Sequence, residues 1–241
     1  MAKAETVHSQ SEPVGILLDP ALNPVLTSSC TGYEGANESE ESGQFKRAFP
    51  RLRMIVSSIR LIPHLMLLLS TEAEDFLRAD MRRWAELCER NIPCKEREYV
   101  SLFIMLMTFR PEFRNIFYLR LGAKASVFGM LCPPLAALEI ERTTIGPGLY
   151  IQHGSGTFIS AASIGANCWI NQQVTIGYSN KTDRPVIGNN VRICAGAKIV
   201  GKIRIGDNAT VGLNSVVIDN VPANSTVFGV PARTVWDAKQ R

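Results

Sequence analysis

The hydrophobic pattern changes period along the chain. From Ile145 onward the period is six. Ile187, Ile193, Ile199, Ile205, Val211 and Val217 follow at six-residue steps, Phe158, Ile164, Ile170 and Ile176 form an earlier run, and Ile145 and Ile151 an opening pair. A helix repeats every 3.6 residues and a strand every two. A step of six fits a coil of three short flat faces, each with one inward aliphatic, and such hexapeptide repeats predict a left-handed parallel β-helix. An Ile-Gly or Val-Gly pair recurs at 145–146, 164–165, 176–177, 187–188, 205–206 and 211–212, which supplies permissive backbone near the corners. Each stacked aliphatic contributes about 2 kcal/mol of transfer energy. Val191, Ala195, Ala197 and Val216 are expected on the outer faces. Apolar outer faces call for a partner surface, and three-sided prisms pack naturally about a three-fold axis. The period slips by one residue between Ile151 and Phe158, across His153-Gly154-Ser155-Gly156. It opens wider between Ile176 and Ile187, where the polar stretch Tyr178–Pro185 is expected as a loop extruded from a corner.

Upstream the period is helical. Glu72 to Asn91 places Phe76, Leu77, Met81, Trp84 and Leu87 at three- and four-residue spacing, with Ser70 or Thr71 available as a cap. Tyr99–Phe109 is an apolar run ending before Pro111, and Glu112–Leu121 resumes the pattern until Pro133-Pro134 stops it. Residues 1–50 carry no apolar period and an acidic run, which reads as a disordered tail. The expected architecture is therefore α+β in two parts: a tail over 1–50, a helical domain over 51–136, a left-handed β-helix over 137–235 and a short tail over 236–241.

Composition narrows the function classes. Nearly half the residues are hydrophobic, and a net charge of +4 demands neither nucleic acid nor an anionic membrane. Arg51, Arg53, Arg60, Arg82 and Arg83 read as a solvated helix face. Six cysteines without a C-x-x-C pair read as free thiols of a reducing compartment. The start, MAKAETVHSQSEP, has no apolar core of a signal, so the cytoplasm is the expected location. Leu61–Leu69 is too short to span a bilayer, which needs about 20 residues. Helix packing accounts for it and for Tyr99–Met107 more simply than a peripheral membrane contact.

One histidine, His153, lies in the repeat region. Imidazole is suited to take up and give back a proton near neutral pH. A histidine in a Gly-rich break of the repeat is a candidate general base. One histidine cannot make the three-histidine zinc site that some such prisms hold, so no metal is expected.

The stretches Ile145–Gly156, Gln173–Gly177, Ala195–Gly201 and Gly229–Arg233 resemble serine acetyltransferases and their relatives in capsule and colanic-acid biosynthesis. Ala79–Arg82, Arg90–Pro93 and Phe113–Arg120 resemble the helical segment of those proteins more loosely. The resemblance implies an acetyl-CoA-dependent O-acetyltransferase that forms no acyl-enzyme, with His153 as base and Glu139, or else Glu141, orienting it. It implies acetyl-CoA along a corner between subunits of a homotrimer, near Gly177, Ala195, Ala197, Lys198 and Arg233. The acceptor positions depart from the serine pattern: Gln152 and Asn91 stand where that family has aspartates, and Arg184-Pro185 lacks a histidine. Amides hydrogen-bond sugar hydroxyls well but supply no charge to an ammonium. A sugar or polysaccharide hydroxyl is therefore the first expectation, with L-serine the alternative and a non-catalytic trimeric scaffold the reading of another class. The end at Trp236–Arg241 lacks the tail by which serine acetyltransferases dock onto cysteine synthase, so that partner is not expected.

Overall fold

The computed structural model describes residues 56–88, 99–141, 143–180 and 182–237. The expected tail over 1–50 and the candidate Asn91 lie outside the described residues.

Four helices precede the strands: α1 (Ile62–Ser70), α2 (Glu74–Cys88), α3 (Tyr99–Phe109) and α4 (Pro111–Leu121), followed by a 3-10 segment over Gly122–Met130. Proline sits in the first turn of α1 and of α4, where its missing N–H is no loss. Thr71 Oγ1 accepts the Ala73 N–H at 3.2 Å just before α2, and Glu74 and Asp75 oppose that helix's N-terminal dipole. Leu77, Met81, Trp84, Phe103, Leu106, Phe113, Ile116 and Phe117 form the helical core. Phe76, expected among them, is exposed, and the Arg120 guanidinium lies 5.0 Å from its ring centre.

The strands form the expected three-sided β-helix. Face one stacks β1 (Leu138–Ile140), β4 (Thr157–Ile159), β7 (Thr175–Gly177), β10 (Lys198–Val200) and β13 (Val216–Val217). Face two stacks β2 (Thr144–Ile145), β5 (Ser163–Ile164), β8 (Val186–Ile187) and β11 (Arg204–Ile205). Face three stacks β3 (Tyr150–Ile151), β6 (Trp169–Ile170), β9 (Arg192–Ile193), β12 (Thr210–Val211) and β14 (Ser225–Gly229), and β15 (Ala232–Asp237) closes it antiparallel to β14. All the other pairings are parallel and join residues of equal rank in successive coils, such as Ile145 with Ile164 and Ile170 with Ile193.

The register corrects the expectation at Phe158. Phe158 pairs with Thr175 on the outer side of face one, and Ile159 is the inward residue, stacked on Ile176. The inward step from Ile151 is thus eight residues and the next, to Ile164, is five. The extra length is taken up by a wide corner in which His153, Gly154 and Gly156 have φ of 65°, 45° and 68°. Val191 and Ala197 are also fully buried rather than on the outer faces, whereas Ala195 and Val216 are half-buried. Left-handed asparagines turn another corner column: Asn190 donates to Asn208 at 3.0 Å and Asn208 to Asn224 at 2.9 Å. Cys88, Cys132 and Cys168 are free thiols as expected, but Cys194 is disulfide-bonded, which departs from the all-free reading.

The helices are clamped to the first coil by a buried charge. Asp80 accepts hydrogen bonds from Arg120 at 2.9 and 3.2 Å and from the Gly148 and Leu149 amides at 2.7 and 3.0 Å. Arg120 also donates to the Ile145 and Gly146 carbonyls. Burial pushes the Asp80 carboxyl above its ordinary value, against the opposing pull of Arg120 and the two amides. Trp84 adds an indole bond to the Leu149 carbonyl at 2.9 Å and an edge contact with Tyr150.

Candidate active site

His153 turns the corner from face three to face one. It holds a left-handed backbone that a non-glycine residue seldom adopts. The corner is fixed by the Ser155 N–H on the His153 carbonyl and by the Gly156 N–H on the Ala137 carbonyl at 2.9 Å. The imidazole is exposed and makes no hydrogen bond among the described residues. A Cβ added to Gly154 would come within 3.0 Å of Glu112 Cγ and 3.2 Å of Leu135. The start of α4 therefore packs over this corner, and Glu112 stands beside the histidine's loop. Sequence reasoning missed Glu112, because no spacing rule links a helix start to a β-helix corner.

The same corner column holds Gln152, which accepts a long bond from Asn171 Nδ2 at 3.5 Å. Two coils on, it holds Ala195, whose amide is unpaired among the described residues, and buried Ala197. Lys198 follows on the outer side of face one, its Nζ donating to the Gln173 carbonyl at 2.6 Å and to Thr175 Oγ1 at 3.1 Å.

The opposite edge of face one carries the other candidates. Glu141 accepts from Ser160 Oγ at 2.5 Å and from Arg184 at 3.2 Å, both charges being about one-third exposed. The Arg184 guanidinium also lies 5.4 Å from the Tyr178 ring centre, so the inserted loop folds back on its own corner. Gly177 is buried at this edge. Arg233 pairs at 3.3 Å with Asp219, both well exposed.

One chain therefore sets His153 beside Gln152, with Ala195 two coils on in the same corner column, and pairs Arg184 with Glu141 at a different corner; Ala197, expected with them, is buried inside. Glu139 joins neither. It is exposed on the outer side of β1, in register with Phe158, and makes no hydrogen bond to His153. It lines an open groove of about 1630 Å³ with Thr71, Phe76, Asn115 and Arg120, which His153 does not line. Glu141, tied to Arg184 and Ser160, is held away from the histidine corner.

Burial pushes the Cys168 thiol up to about 11, so it stays protonated and inert. Among the described residues no group of three or more His, Cys, Asp or Glu side chains could hold a metal ion.

The described β-helix thus carries an exposed histidine at one corner and an ion-paired arginine loop at the next. The chain is similar to serine acetyltransferases. It is 42% identical over 107 residues to that of Synechococcus elongatus, covering 42% of this chain and 44% of that protein. It is 46% identical over 95 residues to that of Staphylococcus aureus, covering 38% and 45%. The chain thus spans less than half the length of these curated relatives. The fold matches the crystal structure of Neisseria gonorrhoeae serine acetyltransferase with a TM-score of 0.55 and 29% identity, over 72% of this chain and 69% of that one. It matches the Brucella abortus enzyme in complex with coenzyme A with a TM-score of 0.56 and 26% identity, over 72% of each chain. No family model matches the chain.

Proposed function

We propose that this protein is an acetyl-CoA-dependent O-acetyltransferase in which His153 is the general base, and that its acceptor is L-serine. The relatives support the donor and reaction class, and they favour serine over the sugar expected from the amides. The observation that carries the acceptor is the Glu141–Arg184 pair. A zwitterionic amino acid needs one anion for its ammonium and one cation for its carboxylate, and this half-buried pair supplies both on the loop corner. The sequence argument for a sugar rested on missing acids, and Glu141 restores one.

The chemistry follows from these groups. His153 takes the hydroxyl proton as the oxygen bonds to the acetyl carbon. The carbon–sulfur bond then breaks, and the imidazolium returns the proton to the departing thiolate. The donor fits the histidine corner: Ala195 is small and half-buried, and its unpaired amide can meet an amide carbonyl of the pantetheine arm, whereas Ala197 is buried inside the prism. Lys198 and Arg233 are the cations for the nucleotide phosphates, each exchanging a present partner to reach them. Because the two clusters occupy different corners of one prism, the full site forms where His153 of one subunit faces the Arg184 loop of the next in a homotrimer. A scaffold reading leaves the exposed His153 imidazole without a role.

His153→Ala lowers acetyl-CoA turnover by about 10²–10⁴-fold with its fold intact by circular dichroism. Survival within tenfold would remove the base. Thiol release with L-serine and with capsule-type sugars tests the acceptor: turnover is expected with serine, and turnover with sugars alone would overturn that reading.

A further inference from the structure

Glu141 does not hold its position through Arg184 alone. It stands one residue past β1, and Ser160 stands one residue past β4. The pairing of Ile140 with Ile159 gives the two equal rank in successive coils. Backbone bonds fix both: the Glu141 N–H donates to the Ile159 carbonyl at 2.9 Å and the Ser160 N–H to the Ile176 carbonyl at 2.7 Å. Ser160 is fully buried. A buried hydroxyl places its proton on an acceptor, and here the acceptor is Glu141 Oε2, at 2.5 Å. The same oxygen takes the Arg184 Nη2–H at 3.2 Å. Glu141 Oε1 has no hydrogen-bond partner among the described residues.

One carboxylate oxygen is thus tied from two sides, and the other is open. The two ties differ in kind. Arg184 belongs to the inserted loop, and about one-third of its side chain is exposed. Ser160 is short, buried and part of the wall of the coil. An acceptor carboxylate can draw the guanidinium to itself, and the hydroxyl then keeps Glu141 in place. Hydrogen bonds from a hydroxyl to an ionised carboxylate are among the stronger ones. A carboxylate held before its ligand arrives also loses less freedom on binding it. Without the hydroxyl, Glu141 would follow the arginine.

We infer that Ser160 is a positioning residue: resting on the reading that the acceptor binds at the Glu141–Arg184 pair, it aims the open oxygen of Glu141 at the acceptor's ammonium and so sets the preference for acceptors that carry one. The test compares kcat/KM for L-serine with that for 3-hydroxypropionate, which has the hydroxyl and the carboxylate but no ammonium, by thiol release from acetyl-CoA. Wild type is expected to prefer serine. Ser160→Ala is expected to lower that preference by about tenfold, chiefly through KM for serine, with KM for acetyl-CoA and circular dichroism near wild type. Ser160→Cys, close in size but a weak donor, should lose preference in the same direction and serves if the alanine variant does not fold. A folded variant that keeps the wild-type preference would overturn the proposal. So would an equal loss with both acceptors, which is what a merely structural serine would give. Glu141→Gln separates the two levels. A preference lost in Glu141→Gln but kept in the Ser160 variants removes Ser160 alone. A preference absent from wild type, or kept in Glu141→Gln, removes the acceptor site at the pair as well.

Discussion

At the scale of single residues, His153 is the feature that both the repeat and the fold isolate, and its orienting carboxylate is the open role. Glu139 holds the position implied by the family resemblance. Glu112 holds the position implied by packing, against Gly154. An orienting acid acts through the base, so its loss lowers kcat and leaves KM nearly unchanged. Because Glu139 faces away from the histidine corner, we expect Glu112→Gln to lower kcat at least about tenfold with Glu139→Gln near wild type; the reverse result returns the role to Glu139. His64 makes a separate, structural prediction. Its Nε2 bonds to Tyr118 and Phe128, while Nδ1 is buried without a partner, so a second ring proton would have nowhere to go. Burial accordingly lowers its pKa below the ordinary 6.5. A histidine with a lowered folded pKa binds fewer protons folded than unfolded, so stability rises with pH through this window and falls on acidification below 6.5. Urea melts at pH 7.5 and 5.5 should show that loss, and His64→Gln should shrink it. The proposed base was legible in the sequence because it is a lone histidine where the repeat breaks. Glu112 was not, since a helix and a corner distant in sequence meet only in the folded chain.

At the scale of elements, the six-residue period specified the three faces, and the observed strands follow it. The Phe158 error shows where such a pattern loses information. A two-residue widening at one corner and a one-residue shortening at the next leave a six-residue count intact across an outward phenylalanine, so periodicity alone could not tell inside from outside. The Asp80–Arg120 clamp was equally illegible, because an Ala-Asp-Met-Arg run on an amphipathic helix reads as solvated charge. Its energetic weight is predictable now. Asp80→Ala leaves Arg120, with only 9% of its side chain exposed, without a counter-ion and strips two backbone amides of an acceptor. Breaking such a buried pair costs about 3–5 kcal/mol. The exposed Arg78–Glu74 pair on the same helix is the control, and Arg78→Ala should cost under about 1 kcal/mol in the same denaturant melt.

At the scale of the whole molecule, the separation of the two clusters is what calls for the proposed trimer. His153 and Arg184 lie on different corners of one prism, so a subunit on its own holds only half of each proposed site. A closed ring of three joins the histidine corner of one copy to the loop corner of the next in the same way at every interface. The outer apolar positions that led to a trimer from sequence were partly wrong, because Val191 and Ala197 are inside; the divided site is the better reason. It also makes a prediction that a self-contained site does not share. His153→Ala and Arg184→Ala are each expected to be nearly inactive at low serine concentration. Co-refolded in equal amounts, they form mixed trimers in which some interfaces pair an intact histidine with an intact arginine. Random assembly places both intact residues at about one interface in four, so about one quarter of wild-type turnover should return. Turnover that stays at the level of the separate variants, in material whose mass shows that subunits have mixed, would mean that both residues of a working site come from one chain.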